Sequence, residues 1–260
     1  MVIGSNMIDI HCHLEYIKNP EEVIREARQK MTAIITSVAD MKNKDKILAI
    51  RERNKDFVFV SLGLHPDRVK NYSDEEIDKY LEFIKANRDK IVAIGECGLD
   101  YFQVSADKRK RAEEVFIKFI ELANQIKKPL VIHSRNEPGN NACFNDILKI
   151  LTDQNAKSVV LHCFSGNESN LKYALEQNYW ISFATIICKS EKHQRLARKT
   201  PIEKMLLETD SPWLHPSSRE LINRPWLISE SAKVIASINN IPAEKILHQT
   251  AENAKKVFSI

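Results

Sequence analysis

Short runs of apolar and β-branched residues recur along the chain, and longer stretches with apolar positions every three or four residues lie between them. The runs are "MIDI" (7–10), "AIITSV" (33–38), "FVFVSLG" (57–63), "IVAIGE" (91–96), "LVIH" (130–133), "SVVLH" (158–162), "YWISFA" (179–184) and "KMLLET" (204–209), eight in all. Runs this short and this continuously apolar read as strands covered on both faces. The stretches between them read as helices. "PEEVIREARQ" opens on Pro20 with an acidic first turn, and "SDEEIDKYLEFIKANR" places Ser73 as an N-cap with Glu76 three residues on. The chain closes on an amphipathic pattern, "AEKILHQTAENAKKVF". Buried strands alternating with helices imply a parallel sheet, and eight such units are the number that closes a barrel. The predicted fold is therefore α/β, a single (β/α)8 TIM-type barrel over residues 1–260 as one domain; an open doubly wound sheet is the main rival.

Composition changes this picture little. With 43% hydrophobic and 28% charged residues among 260, the chain is ordinary for a globular protein, and no stretch rich in Pro, Gly and Ser divides it. No apolar run approaches the ~20 residues that span a bilayer, and the start lacks the basic, apolar and small-residue regions of a secretory signal. The expectation is a cytoplasmic protein with no membrane partner; Met1 and Met7 both remain open as its functional start. Five scattered cysteines suit reduced thiols better than a disulfide framework. Cys12, Cys97 and Cys163 each adjoin a residue of metal-ligand type, so on a strand they would face the other way, toward helices. A net charge of +4 permits an anionic substrate without demonstrating one. "KRKR" at 108–111 reads as a solvated helix face.

The chemistry collects at the ends of the runs. In a barrel the active site forms at the carboxyl ends of the strands. The first strand runs into His11 and His13, the third into His65, the fourth into Glu96, the fifth into His133, the sixth into His162 and the eighth into Glu208 and Asp210. On an undistorted strand Asp9, His11 and His13 would share one face, with Asp9 placed to orient a ligand. Four imidazoles and two carboxylates suit two divalent ions sharing a carboxylate. Glu96, on a middle strand, is the candidate bridge, with His11, His13 and Asp210 on one ion and His133 and His162 on the other. Zinc, manganese and magnesium all remain open. His193 and His248 read as solvated or packing residues; His215 is placed either at the site or in a surface turn; and His65, before a proline, is expected to touch substrate.

"DIHCH", "GLHP", "GECGLDY", "VIHSR", "LHCFSG" and "ETDSPWL" follow one another along the chain. In this combination and order they resemble the TatD family of metal-dependent deoxyribonucleases, within the amidohydrolase-like barrels. The resemblance implies a TIM-type barrel with two, sometimes three, divalent ions, cutting DNA phosphodiesters through a metal-activated water. The family's common mode is 3′-to-5′ exonuclease action on single strands. By matching positions, His11, His13, Glu96, His133, His162 and Asp210 take metal-site roles. Glu96, Asp210 and Glu208 are the catalytic candidates: Asp210 as general base, Glu208 holding water or an additional ion. His65, Tyr101 and Arg135 fall at substrate positions, Arg135 as a fork for phosphate, with Tyr101 or Trp213 available to stack on a base. The implied partner is DNA, with single-stranded ends; no obligate protein partner is evident. The loop "NEPGNNACF" after Arg135, the strand end "SFATIICKS" and the late loop "LINRPW" depart from the usual pattern, which places the difference in substrate preference. Two rival functions stay open. A small-molecule hydrolase of amides, lactones or phosphoesters could use the same ligands, though many such enzymes bridge their metals with a modified lysine where this chain has Glu96. A non-catalytic nucleic-acid scaffold would need a damaged metal site or a dense basic patch.

Overall fold

The computed structural model describes residues 6–260. The choice between Met1 and Met7 as start turns on residues 1–5, which lie outside the described residues. Eight strands, β1 (Ile8–Cys12), β2 (Ala33–Val38), β3 (Val58–Leu62), β4 (Ala93–Asp100), β5 (Leu130–Arg135), β6 (Val159–Leu161), β7 (Trp180–Phe183) and β8 (Met205–Leu207), pair in parallel and in sequence order. Helices follow each in turn: α1 (Pro20–Arg28), α2 (Lys44–Arg53), α3 (Asp74–Ala86), α4 (Ala106–Ile126), α5 (Ala142–Asp153), α6 (Glu168–Glu176), α7 (Glu191–Lys199), and after β8 both α8 (Ile228–Asn239) and α9 (Ala243–Phe258). Sequential order with no reversal excludes the doubly wound rival. Beyond the last ladder, Asp210 N donates to His11 O at 2.9 Å and His13 N to Ser211 O at 2.8 Å, which carries the sheet across the β8–β1 seam. The molecule is a (β/α)8 barrel. The capping box of α3 is present, Ser73 and Glu76 each satisfying the other's backbone N–H.

The barrel is filled from below. Ile8, Ile10, Ala93, Val131 and Leu206 pack in its interior against Ala254 and Phe258 of α9, which closes the amino-terminal end. A larger apolar layer lies between the strands and the surrounding helices. The carboxyl-terminal mouth is where the polar side chains that end the strands gather.

Two strands cannot line both interior and mouth by simple alternation, and both contain an extra residue. Asp9 to Cys12 on β1 is matched by only Ile34 to Thr36 on β2, and Ile94 to Cys97 on β4 by only Leu130 to Ile132 on β5. Such a bulge reverses which face later side chains take. Ile8 and Ile10 therefore face the interior while His11 and His13 reach the mouth and Cys12 packs in the outer layer. On β4, Ala93 faces the interior, Glu96 the mouth, and Ile94 and Cys97 the helices. The expectation that Asp9 shares a face with His11 and His13 is corrected by this bulge. Asp9 is fully buried, and its carboxylate accepts from His11 N at 3.2 Å, Thr209 N at 3.0 Å and Thr209 Oγ1 at 2.5 Å. It fastens backbone across the seam and touches no imidazole.

The outward turn of Cys12 and Cys97 matches expectation, and all five cysteines are free thiols. The basic run at 108–111 is only half solvated. Lys108 and Lys110 are exposed, but Arg109 reaches Glu137 at 2.5 Å and Arg111 reaches Asp74 at 2.7 Å, stitching α4 to the loop after β5 and to the first residue of α3. Among the described residues no helix is long and apolar enough to cross a membrane.

Candidate metal centre

The residues that end the strands converge at the barrel mouth. Glu96, 3% exposed, stands at the middle. Its Oε2 lies 3.5 Å from both His11 Nε2 and His13 Nε2. Its Oε1 faces the other way, 2.7 Å from His133 Nδ1, 3.5 Å from His162 Nε2 and 3.8 Å from His65 Nε2. Asp210 Oδ1 completes the first group, 3.3 Å from His13 Nε2 and 3.8 Å from His11 Nε2. Asp210 adopts a left-handed backbone (φ 56) where its N donates to His11 O at 2.9 Å; aspartate is among the residues that tolerate it. Burial works to raise the Glu96 pKa, but the surrounding imidazoles of His65, His11 and His133 overcome it and hold the carboxyl well below its ordinary range.

The donor set fits divalent cations. His13 Nδ1 lies 3.1 Å from Ser37 O and 3.3 Å from Glu15 Oε1, both acceptors, so that nitrogen carries the hydrogen. Its Nε2 then presents a lone pair toward His11 Nε2, 3.0 Å away, and toward two carboxylates. Lone pairs converging in a buried space need a positive charge between them. His133 shows the same demand, with Glu96 Oε1 on Nδ1 and Asp100 Oδ2 at 3.1 Å on Nε2. Burial works to lower its pKa, yet the acids Asp100 and Glu96 push it up to about 10. His11, His13 and Glu96, and separately Glu96, His133 and His162, are grouped closely enough to share an ion. This His/Asp/Glu set fits divalent metal binding.

A layer behind these side chains fixes them, as is usual for metal ligands. Ser37 Oγ lies 3.1 Å from His11 Nδ1. Glu15 Oε1 also accepts from Ala39 N at 3.1 Å. Asp100, buried on β4, accepts from Phe102 N at 2.9 Å and Gln103 N at 2.8 Å while facing His133. The sequence reading missed Ser37, Glu15 and Asp100; the "HLE" and "GLD" segments place acids just beyond the ligands, and only their fold-back identifies the partners. Glu208 is placed here too. It is fully buried, accepts from Cys163 N at 2.6 Å and Ser182 Oγ at 2.7 Å, and lies 2.8 Å from His162 Nδ1. It stands behind His162, outside the cleft lining and outside every described group able to hold an ion, which corrects the expectation that it holds water or an additional ion there.

The cleft above the centre is lined by His13, His65, Glu96, His133, Arg135, His162 and Asp210, with Tyr16, Arg68, Gln103 and Trp213 at its rim. His65 is held by Asp67 Oδ1 at 2.6 Å on its Nδ1. Tyr101 is not brought to the cleft. It is 6% exposed, its hydroxyl donates to Asp146 at 2.6 Å and Glu113 at 3.2 Å, and Arg109 covers its ring. The substrate role expected of Tyr101 is corrected to packing; its neighbour Phe102 is the exposed ring. Asn223, fully buried, donates to Thr185 Oγ1 at 2.8 Å and Thr209 O at 2.9 Å, tying the late loop to the end of β8.

The remaining histidines lie elsewhere. His215 Nδ1 accepts from Ser217 N at 3.2 Å within a turn and does not line the cleft, and His248 meets Asn6 at 3.0 Å. His193, on α7, has Nδ1 2.7 Å from Ser190 Oγ; burial, helped by Lys192, lowers its pKa from 6.5 to about 4. The unfolded chain thus binds a proton that the folded chain refuses. Stability from the neutral ring is complete above pH 6.5 and lost as pH falls through about 4. His193→Gln is expected to flatten this part of the Tm-against-pH curve; an unaltered curve would show that the ring does not resist protonation.

The family model for TatD related DNase matches residues 8–259. The human deoxyribonuclease TATDN3 is 30% identical over 268 residues, covering 98% of this chain and 95% of its own length. An uncharacterized metal-dependent hydrolase of Methanocaldococcus jannaschii is 34% identical over 254 residues, covering 96% of each. In structure, the TatD homologue YJJV of Escherichia coli superposes with a TM-score of 0.89 over 100% of both chains at 24% identity, a likeness of fold. With the barrel, the converging ligands and these relatives together, the chain belongs to the TatD family and is a metal-dependent hydrolase acting on ester bonds.

Proposed function

We propose that this hydrolase is a deoxyribonuclease that cuts single-stranded DNA from its 3′ end, with two divalent ions sharing Glu96. The observation that carries the two-ion reading is the division of the Glu96 carboxylate, Oε2 toward His11 and His13 and Oε1 toward His133 and His162. DNA as substrate is supported by relatives named deoxyribonuclease, the human one among them.

Divalent ions held by His11, His13, Asp210, His133, His162 and Glu96 would make water more acidic and offset the charge gathering on a phosphate oxygen. The chain's own groups do the rest. Asp210, 19% exposed on its side chain, opens onto the cleft and is placed to accept the proton that an attacking water gives up. Arg135 makes no ion pair among the described residues, so its guanidinium is available as a fork for phosphate at the rim. His65, anchored by Asp67, directs Nε2 toward the scissile region. Trp213, 45% exposed beside His13, offers a ring face to an unpaired base, which favours single strands.

The test is incubation of metal-loaded protein with end-labelled single- and double-stranded DNA. The expected outcome is a product ladder that shortens from the 3′ end of the single strand. Turnover of simple esters without cleavage of any oligonucleotide would favour the small-molecule reading instead.

A further inference from the structure

Just outside the cleft lining, against Arg135 and next to Gln103, stands a second aromatic that sequence reasoning passed over. Phe102 is 53% exposed, and the Arg135 guanidinium lies 4.1 Å from its ring centroid. The pair is tied to the metal centre. Asp100 holds Phe102 N with Oδ1 at 2.9 Å and His133 Nε2 with Oδ2 at 3.1 Å, so the segment bearing the ring is fixed by the carboxylate that orients a candidate ligand. Asp100 Oδ1 also accepts from Gln103 N at 2.8 Å, so the backbone that carries Phe102 is set by the same carboxylate that faces His133, and the Arg135 guanidinium covers one face of the ring.

Topology sets where this ring stands. Phe102 follows β4 and Arg135 ends β5; Tyr16 and Trp213, whose centroids are 5.2 Å apart, follow β1 and β8. In a ring of eight sequential strands, β4 and β5 face β8 and β1 across the mouth. Tyr16 and Trp213 thus stand on one side of the mouth and the Phe102–Arg135 pair on the other, while Arg68, after β3, also lines the cleft. Glu96 and its imidazoles lie between the two rims.

We infer that Phe102, capped by Arg135, is a second nucleobase-stacking station, and that a DNA strand crosses the mouth with one unpaired base seated on each rim and the scissile phosphate between them. Arg135 spends one flat face on Phe102, which leaves its in-plane N–H groups for a backbone phosphate. The free face of Phe102 takes the adjoining base. The inference rests on the phosphodiesterase reading of the site and adds that the nucleotides flanking the cut are splayed to opposite sides.

The test uses metal-loaded protein and a fluorescein-labelled oligothymidylate with slowly cleaved phosphorothioate links, read by anisotropy. Phe102→Ala is expected to weaken binding about tenfold, the usual scale for losing one base stack, and Phe102→Trp to retain it. Oligomers carrying one base-free nucleotide, moved along the strand, are expected to show a position at which wild-type binding falls and Phe102→Ala adds no further loss. In steady-state assays Phe102→Ala should raise KM for the all-phosphate oligomer far more than for bis(p-nitrophenyl) phosphate, which has no base. Equal losses on both substrates, or undiminished affinity for the oligomer, would overturn the station. Phe102-dependent binding without any cleavage would instead retire the deoxyribonuclease reading and leave the station standing.

Discussion

Glu96→Gln is expected to reduce metal-dependent hydrolysis on the order of a thousandfold while leaving the circular-dichroism spectrum of the barrel intact. The scale is that of removing one preorganised charge-stabilising group from an enclosed site. The amide keeps the shape of the side chain but exchanges one carboxylate oxygen for NH2, which has no lone pair to give a cation. Either orientation of the amide then leaves one of the two imidazole groups, His11 with His13 or His133 with His162, without its shared oxygen. Glu96 lies at the carboxyl end of the barrel, on the side away from the apolar interior formed by Ile8, Ile10, Val131 and Leu206, so the fold does not depend on its charge. The measurement is initial rate against free metal concentration in a metal-buffered assay. A full rate recovered at any metal concentration would remove Glu96 from its bridging position.

Gly95→Ala is expected to lower Tm by roughly 10 °C, from about 3–5 kcal/mol of strain and overpacking in a chain of this size. Gly95 has φ +139, a conformation essentially reserved for glycine, and an added Cβ would lie 2.4 Å from Val131 O and 2.9 Å from Val131 Cβ. Neither obstacle is the movable end of a side chain. Val131 is fully buried inside the barrel, so relief would have to come from separating β4 and β5. This glycine makes the bulge possible and thereby turns Glu96 into the mouth. Activity should fall further than stability alone explains, because the displaced strand carries Glu96. A Tm within about 2 °C of the wild type would contradict the close approach.

Much of the barrel was legible because its strands are buried on both faces, and continuous apolar runs survive in the sequence as plain marks. All eight runs became strands; β4 continues past Glu96 to Asp100, where Gly98, Leu99 and Asp100 pair with His133, Ser134 and Arg135 although glycine and aspartate read as loop. The ligand types were legible for a related reason. Histidines and acids at strand ends stand out against apolar surroundings, and His11, His13, Glu96, His133, His162 and Asp210 do meet. Local alternation failed wherever one residue was inserted in one strand of a pair. Asp9 was assigned to the face of His11 because a bulge leaves no compositional trace, and its true partner, Thr209, is 200 residues away. Tyr101 and Phe102 are adjacent aromatics, and which of them faces solvent depends on Asp146 and Glu113 capturing the tyrosine hydroxyl, a contact no local pattern contains. Glu208 shows the same limit. The resemblance gives it water or an additional ion to hold, whereas Cys163 N and Ser182 Oγ keep it behind His162.

Anomalous diffraction from crystals of the manganese- or zinc-loaded protein tests the central claim most directly. The expected map has two peaks flanking the Glu96 carboxylate, about 3.5–4 Å apart, one against His11 and His13 Nε2 and the other against His133 and His162. A single peak that leaves Glu96 unligated, or peaks confined to other parts of the surface, would contradict the shared-carboxylate centre.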